Sequence, residues 1–375
     1  MFWSQINFMS IRTETRTCRE GKVGLITLQS PRNLNALSEH MITGMQAALD
    51  EWAQDPDICL ILLWGRGDRG FCAGGDIREL HQAITGEEGD LKAIHYFSAE
   101  YRLDYTLHTY PKPVVCWAHG ATMGGGLGLL AGSRYRLVTP SIQLAMPEIS
   151  IGLFPDVGAG YFLNRLPEGI GLFLGLTGAR LNQADSMRIG LADLAVADEK
   201  PDGLLDRIID TRWTGEVASD DNRLYRLLNQ FAQEQDVTLP ESNLAAHEQR
   251  IPSLCRGESL PVVVDQLLNE VNDDPWWRGA IDNLRNGCPT TAWLVWEQMR
   301  KARQLSLKEI FRMELVMAVR CCAGPDLREG IRALLIDRDN APKWQFASVE
   351  EVGESHVEMH FIPPWMPADD PLADL

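Results

Sequence analysis

An α/β fold is predicted by three features of the sequence. Short apolar runs alternate with helical patterns between residues 20 and 200, glycine-rich turns follow two of those runs directly, and from 258 to 330 the patterning is helical. The runs at 23–29 (VGLITLQ) and 58–64 (ICLILLW) are β-rich and bounded by turn residues, so each is expected to be a strand. Between them Ser38 is placed to cap a helix, with Met41, Met45, Ala48, Leu49 and Trp52 at helical spacing behind it. A second helix is expected over 91–109, a third strand over 113–119, a fourth over 134–139 and a fifth over 142–145. Strands separated by helices imply largely parallel pairing. Composition shifts near residue 200. The expected organisation is an N-terminal extension over 1–19, an α/β core over 20–200, a polar helical connector over 201–257, a helical region over 258–350 and a tail over 351–375.

Composition excludes several function classes. At 375 residues, 45% hydrophobic and 23% charged, the chain can bury a sizeable core. Its net charge of −17 argues against a nucleic-acid partner, whose phosphates need a basic surface. An anionic ligand would have to be held by a local basic patch and backbone N–H groups. None of the eight cysteines forms a C-x-x-C pair, and Cys59 and Cys116 sit inside apolar runs, a pattern of free thiols in a reducing compartment. The N-terminal stretch lacks the basic and apolar regions of a secretory signal. Arg12, Arg16 and Arg19 lean towards a transit peptide, and Glu14 and Glu20 oppose that. The most apolar stretch, 114–131, is interrupted by Gly120, Gly124, Gly125, Gly126 and Gly128, so no membrane span is expected. A cytoplasmic location is the expectation.

Gly65-Arg-Gly-Asp-Arg-Gly70 matches the dinucleotide pattern G-x-G-x-x-G after a strand, but Phe-Cys-Ala-Gly-Gly-Asp follows and no helix opens at the third glycine. Three other segments carry more. In 71–77 (FCAGGDI) an apolar run passes through Gly74 and Gly75 into a helix expected to begin near Asp76, a construction that suits a tight turn or a backbone approached by a ligand. In 119–129 (HGATMGGGLGL) five glycines would each weaken a helix by roughly 1 kcal/mol relative to alanine, as tight packing or close approach to the backbone would require. Two such turns could supply a pair of N–H donors to an oxyanion. In 146–157 (MPEISIGLFPDV) Glu148 and Asp156 lie eight positions apart among apolar residues, placed either for acid–base work with raised pKa or at exposed turns. There is no G-x-S-x-G elbow and no H-E-x-x-H, and the eight histidines are scattered; His119 reads as structural and Cys321–Cys322 as core.

In this order and spacing the three segments resemble the motifs of the crotonase superfamily, and the similarity runs from about residue 15 to the stretch 326–344 (DLREGIRALLIDRDNAPKW). The resemblance implies a crotonase-like spiral of ββα units with a C-terminal helical region. It also implies an acyl-CoA substrate whose thioester carbonyl sits between the amides of Gly75 and Gly125. Hydratases of the superfamily use two glutamates, and the position of the first is here Gly128. The co-occurrence of TMGGG, MPE, GLFPD and the C-terminal pattern instead resembles the 3-hydroxyisobutyryl-CoA hydrolase branch. That branch implies Glu100, Gly125, Glu148 and Asp156 at the substrate, with Glu148 as nucleophile or general base and Asp156 binding the substrate hydroxyl or managing the proton. No cofactor is expected, CoA being part of the substrate. Arg69 and Arg78 are candidates for the CoA phosphates, and each could equally be a solvated charge. Superfamily members often form trimers, a contact that the polar connector could block. The rival readings are a hydratase or isomerase on the same fold and a non-catalytic acyl-CoA-binding protein.

Overall fold

The computed structural model describes residues 10–197 and 200–375. The element order begins β1 (Ile11–Thr17), β2 (Lys22–Leu28), α1 (Glu39–Gln54), β3 (Ile58–Gly65), α2 (Ile77–Thr85), α3 (Gly89–Thr109), β4 (Val114–Ala118), β5 (Ala121–Met123), α4 (Gly125–Gly132), β6 (Tyr135–Val138), β7 (Gln143–Ala145) and, after several short helices, β8 (Leu194–Ala195). From Asp202 onward the regular elements of the described residues are helices. The chain forms two compact units interleaved along the sequence, one of residues 1–74, 106–144 and 181–242, the other of 75–105, 145–180 and 243–375.

The first unit is built on a six-stranded sheet in the order β1-β2-β3-β4-β6-β8. Its strands from β2 to β8 pair in parallel, as the alternation of strands and helices predicts. β2, β3 and β4 are almost wholly buried, which explains why they read as continuous apolar runs instead of alternating ones. Ser38 caps α1 by accepting from the Met41 amide, and the expected face of Met41, Met45, Ala48, Leu49 and Trp52 is buried. β1 was not foreseen. It pairs antiparallel with β2, from Ile11 opposite Leu28 to Thr17 opposite Lys22, and forms the sheet edge. Its polar sequence, IRTETRT, suits that place, because charged side chains protect an exposed edge from further pairing. Glu14 bridges Arg12 at 2.6 Å and Arg16 at 3.1 Å. The expected extension 1–19 thus contains a strand, and its residues 1–9 lie outside the described ones.

The two glycine-rich segments are stitched together within this unit. The Phe71 amide donates to the His119 carbonyl, the Cys72 amide to that of Ala121, and the Met123 amide back to Cys72. After Gly65 the chain bends over 66–69 and then bridges to the second glycine segment at Gly70 and Cys72, so the dinucleotide pattern at 65–70 leads to no helix. Gly74 has φ +96° and Gly124 φ +48°, so both turns use backbone that other residues seldom adopt. A Cβ on Gly126 would stand 2.1 Å from the Cys72 carbonyl oxygen. Gly126, like Gly120, whose Cβ would stand 2.3 Å from the Arg69 carbonyl oxygen, is therefore needed for close approach of one backbone to another.

The second unit is largely helical. The helix Pro289–Ala302 and the helix Leu307–Ala323 each bury an apolar face, and the latter begins with a capping box between Ser306 and Glu309. The motif at 326–344 folds around one arginine. Arg332 meets Glu329 at 2.9 Å, Asp337 at 2.6 Å and Asp339 at 2.7 Å, while Trp344 Nε1 donates to the Asn286 carbonyl at 3.0 Å.

Backbone contact at Gly126 yields a direct test. Gly126→Ala is expected to lower stability by about 3 kcal/mol in urea melts, the scale of an overpacked core. Gly279, in the helix Pro275–Asn286, would meet nothing within 4 Å of an added Cβ. Gly279→Ala is expected to gain up to about 1 kcal/mol from helix propensity.

Candidate active site

The segment carrying Glu148 and Asp156 is fastened on several sides within the second unit. Glu148 opens a short 3-10 turn, Glu148–Ser150, whose Ser150 hydroxyl donates to the Pro147 carbonyl at 2.6 Å. The Cys288 amide donates to the Ile149 carbonyl at 2.9 Å. A Cβ on Gly330 would lie 2.3 Å from the Ile151 carbonyl oxygen, and one on Gly178 would lie 2.9 Å from Pro147 Cα. The glycine in the EGIRALLID stretch thus allows the C-terminal region to press on the segment that holds Glu148.

Glu148 is 6% exposed and Asp156 4%, so neither sits at a solvated turn. Burial pushes the Glu148 carboxyl well above its usual range, with Asp156 and then Glu100 adding like-charge repulsion. One of its oxygens, Oε2, is buried with no hydrogen-bond partner among the described residues. Burial likewise raises Asp156 to about 6, against the lowering effect of the Tyr101 hydroxyl, which donates to Asp156 Oδ2 at 2.7 Å.

Helix α3 supplies the opposing carboxyls. Glu100 and Asp104 are four residues apart, so they share a helix face, and both are buried. Glu100 is raised by burial and by Asp156, and Asp104 by burial and then by Glu100, Asp156 and Glu314. Neither oxygen of Asp104 has a hydrogen-bond partner among the described residues. Glu314, on the helix Leu307–Ala323, is fully buried too. Asp156 thus acts by like charge on each of the other four carboxyls, and among the described residues none of the five pairs with a lysine, arginine or histidine. An isolated buried carboxylate is so costly that such a group holds protons above the ordinary range.

The turn after Asp156 is strained. Val157 has φ +52° and Gly158 φ +86°, two successive residues in left-handed backbone. For a β-branched residue such a φ is a genuine outlier, and it costs roughly 1–3 kcal/mol unless the surroundings impose it.

The glycine turns at 74 and 125 lie within the first unit. A Cβ on Gly74 would stand 3.4 Å from the Gly125 amide nitrogen, so the end of the first glycine turn adjoins the start of α4. Gly75 is the next residue in the chain and opens the second unit, where its Cα faces Tyr96 of α3: a Cβ there would meet the Tyr96 hydroxyl at 2.6 Å. Gly128 is buried in the first turn of α4 and brings no carboxylate. Arg69 and Arg78 are exposed, and neither is in an ion pair among the described residues. An open cleft of about 710 Å³ near the amino ends of β4 and β6 offers less, because its Arg134 and Arg136 are already paired with Asp221 and Asp193. Among the described residues no three His, Cys, Asp or Glu side chains are arranged to hold a metal ion.

Tyr101, Asp104, Gln298 and Glu314 were missed by sequence reasoning. The signal for Glu314 was present: it lies four residues after Ile310 on the apolar face of its helix, at a position where a surface glutamate would not fall.

A family model described as enoyl-CoA hydratase/isomerase matches residues 23–361. The chain belongs to the enoyl-CoA hydratase/isomerase family. Among curated relatives, it is 38% identical to a mitochondrial 3-hydroxyisobutyryl-CoA hydrolase of Gallus gallus, over 92% of this chain and 88% of the relative. It is 35% identical to the protein of that name from Homo sapiens, over 92% and 87%. Among solved structures, a carnitinyl-CoA dehydratase from Mycobacterium thermoresistibile superposes with a TM-score of 0.82 at 33% identity, over 94% of this chain and 96% of the other. An enoyl-CoA hydratase from Rhodobacter sphaeroides gives 0.78 at 32%, over 94% and 97%. The expected family and the crotonase-type α/β fold are thus both borne out.

The raised carboxyl of Asp156 makes stability depend on pH in a stated direction. Folded Asp156 keeps a proton up to about 6, whereas an unfolded aspartate loses it near 3.9. Its contribution is fully present below the unfolded value and is lost as pH rises through about 6. Asp156→Asn escapes that loss. The variant is expected to match the natural chain at about pH 3 and to exceed it by about 3 kcal/mol at pH 8, two units at ~1.4 kcal/mol each; urea melts at both pH values measure this.

Proposed function

We propose that the protein hydrolyses a short 3-hydroxyacyl-CoA thioester, with 3-hydroxyisobutyryl-CoA giving 3-hydroxyisobutyrate and CoA as the best-supported substrate, as in valine breakdown. The observation that carries this reading is a buried Glu148 beside a buried Asp156, on a chain whose α4 has Gly128 where a hydratase of this superfamily would need its first glutamate. The names of the curated relatives support the same chemistry.

In this reading the carbonyl oxygen of the thioester takes N–H donors from Gly75 and Gly125, because negative charge develops there in the tetrahedral intermediate. Ionised Glu148 either attacks the carbonyl carbon, expelling CoA thiolate and leaving an anhydride that water opens, or it removes a proton from an attacking water. Asp156 keeps one oxygen on the Tyr101 hydroxyl and has the other for the substrate hydroxyl or for the proton that returns to the CoA sulfur. Glu100 faces the acyl group. Arg69 and Arg78 are the proposed contacts for the CoA phosphates. The reaction needs no cofactor beyond the CoA carried in the substrate. The proposed location is cytoplasmic, which the eight free and buried cysteines support as a reducing setting.

Burial strengthens a carboxylate nucleophile and narrows the pH range in which it is ionised. Since the reacting form of Glu148 is the ionised one and its pKa is raised, kcat/KM for thiol release is expected to rise with pH, with an apparent pKa above the ordinary glutamate value of about 4.3. Glu148→Gln is expected to slow thiol release from 3-hydroxyisobutyryl-CoA by about 10²–10⁴-fold while binding is retained. Normal turnover in that variant would overturn the assignment. Loss of the enoyl absorbance of crotonyl-CoA, without thiol release from the hydroxyacyl ester, would make the protein a hydratase; tight binding without either reaction would make it a binding protein.

A further inference from the structure

Glu314 lies outside every motif that carries the family resemblance, yet it is one of the most completely satisfied buried acids in the second unit. Its Oε2 accepts from the Gly158 amide at 2.7 Å, and its Oε1 accepts from the Gly160 amide at 2.9 Å and from Gln298 Nε2 at 2.9 Å. Gln298 Nε2 also donates to the Pro155 carbonyl at 2.7 Å. Both partners are buried, Glu314 fully and Gln298 to 1% exposure. A carboxylate and an amide on two helices therefore hold residues 155, 158 and 160, on either side of Asp156.

Between those anchors lies Val157, in backbone that a valine avoids. A strained residue persists only where its surroundings over-determine it. Here they do so through four N–H bonds, and the residue on the amino side of the strained one is Asp156. If the anchors weaken, Val157 relaxes to extended backbone and swings the Asp156 carboxyl away from the Tyr101 hydroxyl. Acceptor geometry explains why a glutamate is needed. All three groups that approach Glu314 are donors, which only a carboxylate with both oxygens free to accept can satisfy. A glutamine would present its own NH₂ to one of them.

We propose that Glu314, braced by Gln298, is the positioning residue that holds Asp156 in its catalytic orientation by enforcing the left-handed turn at Val157. The inference rests on the reading that Asp156 acts on the substrate. Burial pushes Glu314 up to about 8, while the Gly160 and Gly158 amides and Gln298 pull the other way, towards the ionised form that accepts from all three. Asp104 and Asp156 face it with like charge, and no cation does so among the described residues.

The test compares Asp156→Asn, Glu314→Gln, Val157→Gly and Glu314→Gln/Val157→Gly in the full chain, by thiol release from 3-hydroxyisobutyryl-CoA and by thermal melts. Glu314→Gln is expected to lower kcat by about 10- to 100-fold with little change in KM, the cost of a misplaced catalytic group. Glycine at 157 removes the drive to leave left-handed backbone, so the double variant is expected to recover about tenfold over Glu314→Gln, a non-additivity that a loss of general stability would not give. If Glu314→Gln does not fold, Gln298→Met replaces it: a smaller fall in kcat with the same rescue is expected. Wild-type kcat in the clamp variants, or no rescue by Val157→Gly, overturns the clamp alone provided Asp156→Asn is slow. If Asp156→Asn turns over normally, the functional reading falls and the clamp with it.

Discussion

Burying several carboxyl groups together, without a basic side chain to neutralise them, is the constraint on which the second unit depends. Like charges repel, and burial removes the water that would screen them, so each of these groups is pushed towards its protonated form. The protein meets this in different ways at different sites. Glu314 is given three donors, and Asp156 is given the Tyr101 hydroxyl. Asp104 has no hydrogen-bond partner among the described residues and is left to hold its proton. Glu148 sits between these extremes, with one oxygen unpartnered in a dry setting. Such a carboxyl is a stronger base and nucleophile than one in water, and it pays for this only where like charges nearby stay protonated.

The surrounding architecture serves to keep that arrangement fixed. The short turn at Glu148 is gripped by the Cys288 amide, and by glycines at 178 and 330 that permit backbone to lie against it. The ion network on Arg332 orders the segment that follows Gly330. These contacts carry little stability individually, since exposed ion pairs contribute roughly 0–1 kcal/mol each. Their effect is geometric. They fix where the polar groups of an otherwise apolar segment can point.

Much of this was legible in the sequence, and the reasons differ by element. The parallel strands were visible because strands covered on both faces must be apolar along their whole length, as VGLITLQ and ICLILLW are. Helix α1 was visible from its cap and its 3.6-residue spacing. β1 was not, because an edge strand may be polar on both faces, and IRTETRT looks like a leader or a loop. Glu148 and Asp156 could be singled out by their apolar neighbours in chain order. Asp104 could not be singled out that way, because its helix carries only a weak apolar pattern; Glu314 lay on a visible apolar face, but which groups it meets is decided only by folding. The pairing of Gly74 with the start of α4 is of the same kind. Glycine content signalled close approach, but not which backbone would approach.

The central claim is that the Glu148 carboxyl titrates above the ordinary range because it is buried among like-charged groups. Carboxyl-carbon NMR of the chain labelled at glutamate side chains, titrated with pH and assigned by comparison with Glu148→Gln, measures this without reference to turnover. The expected result is a Glu148 resonance that titrates above the range of an ordinary glutamate. A Glu148 resonance that titrates at or below about 4.3, the value of a free glutamate, would contradict it.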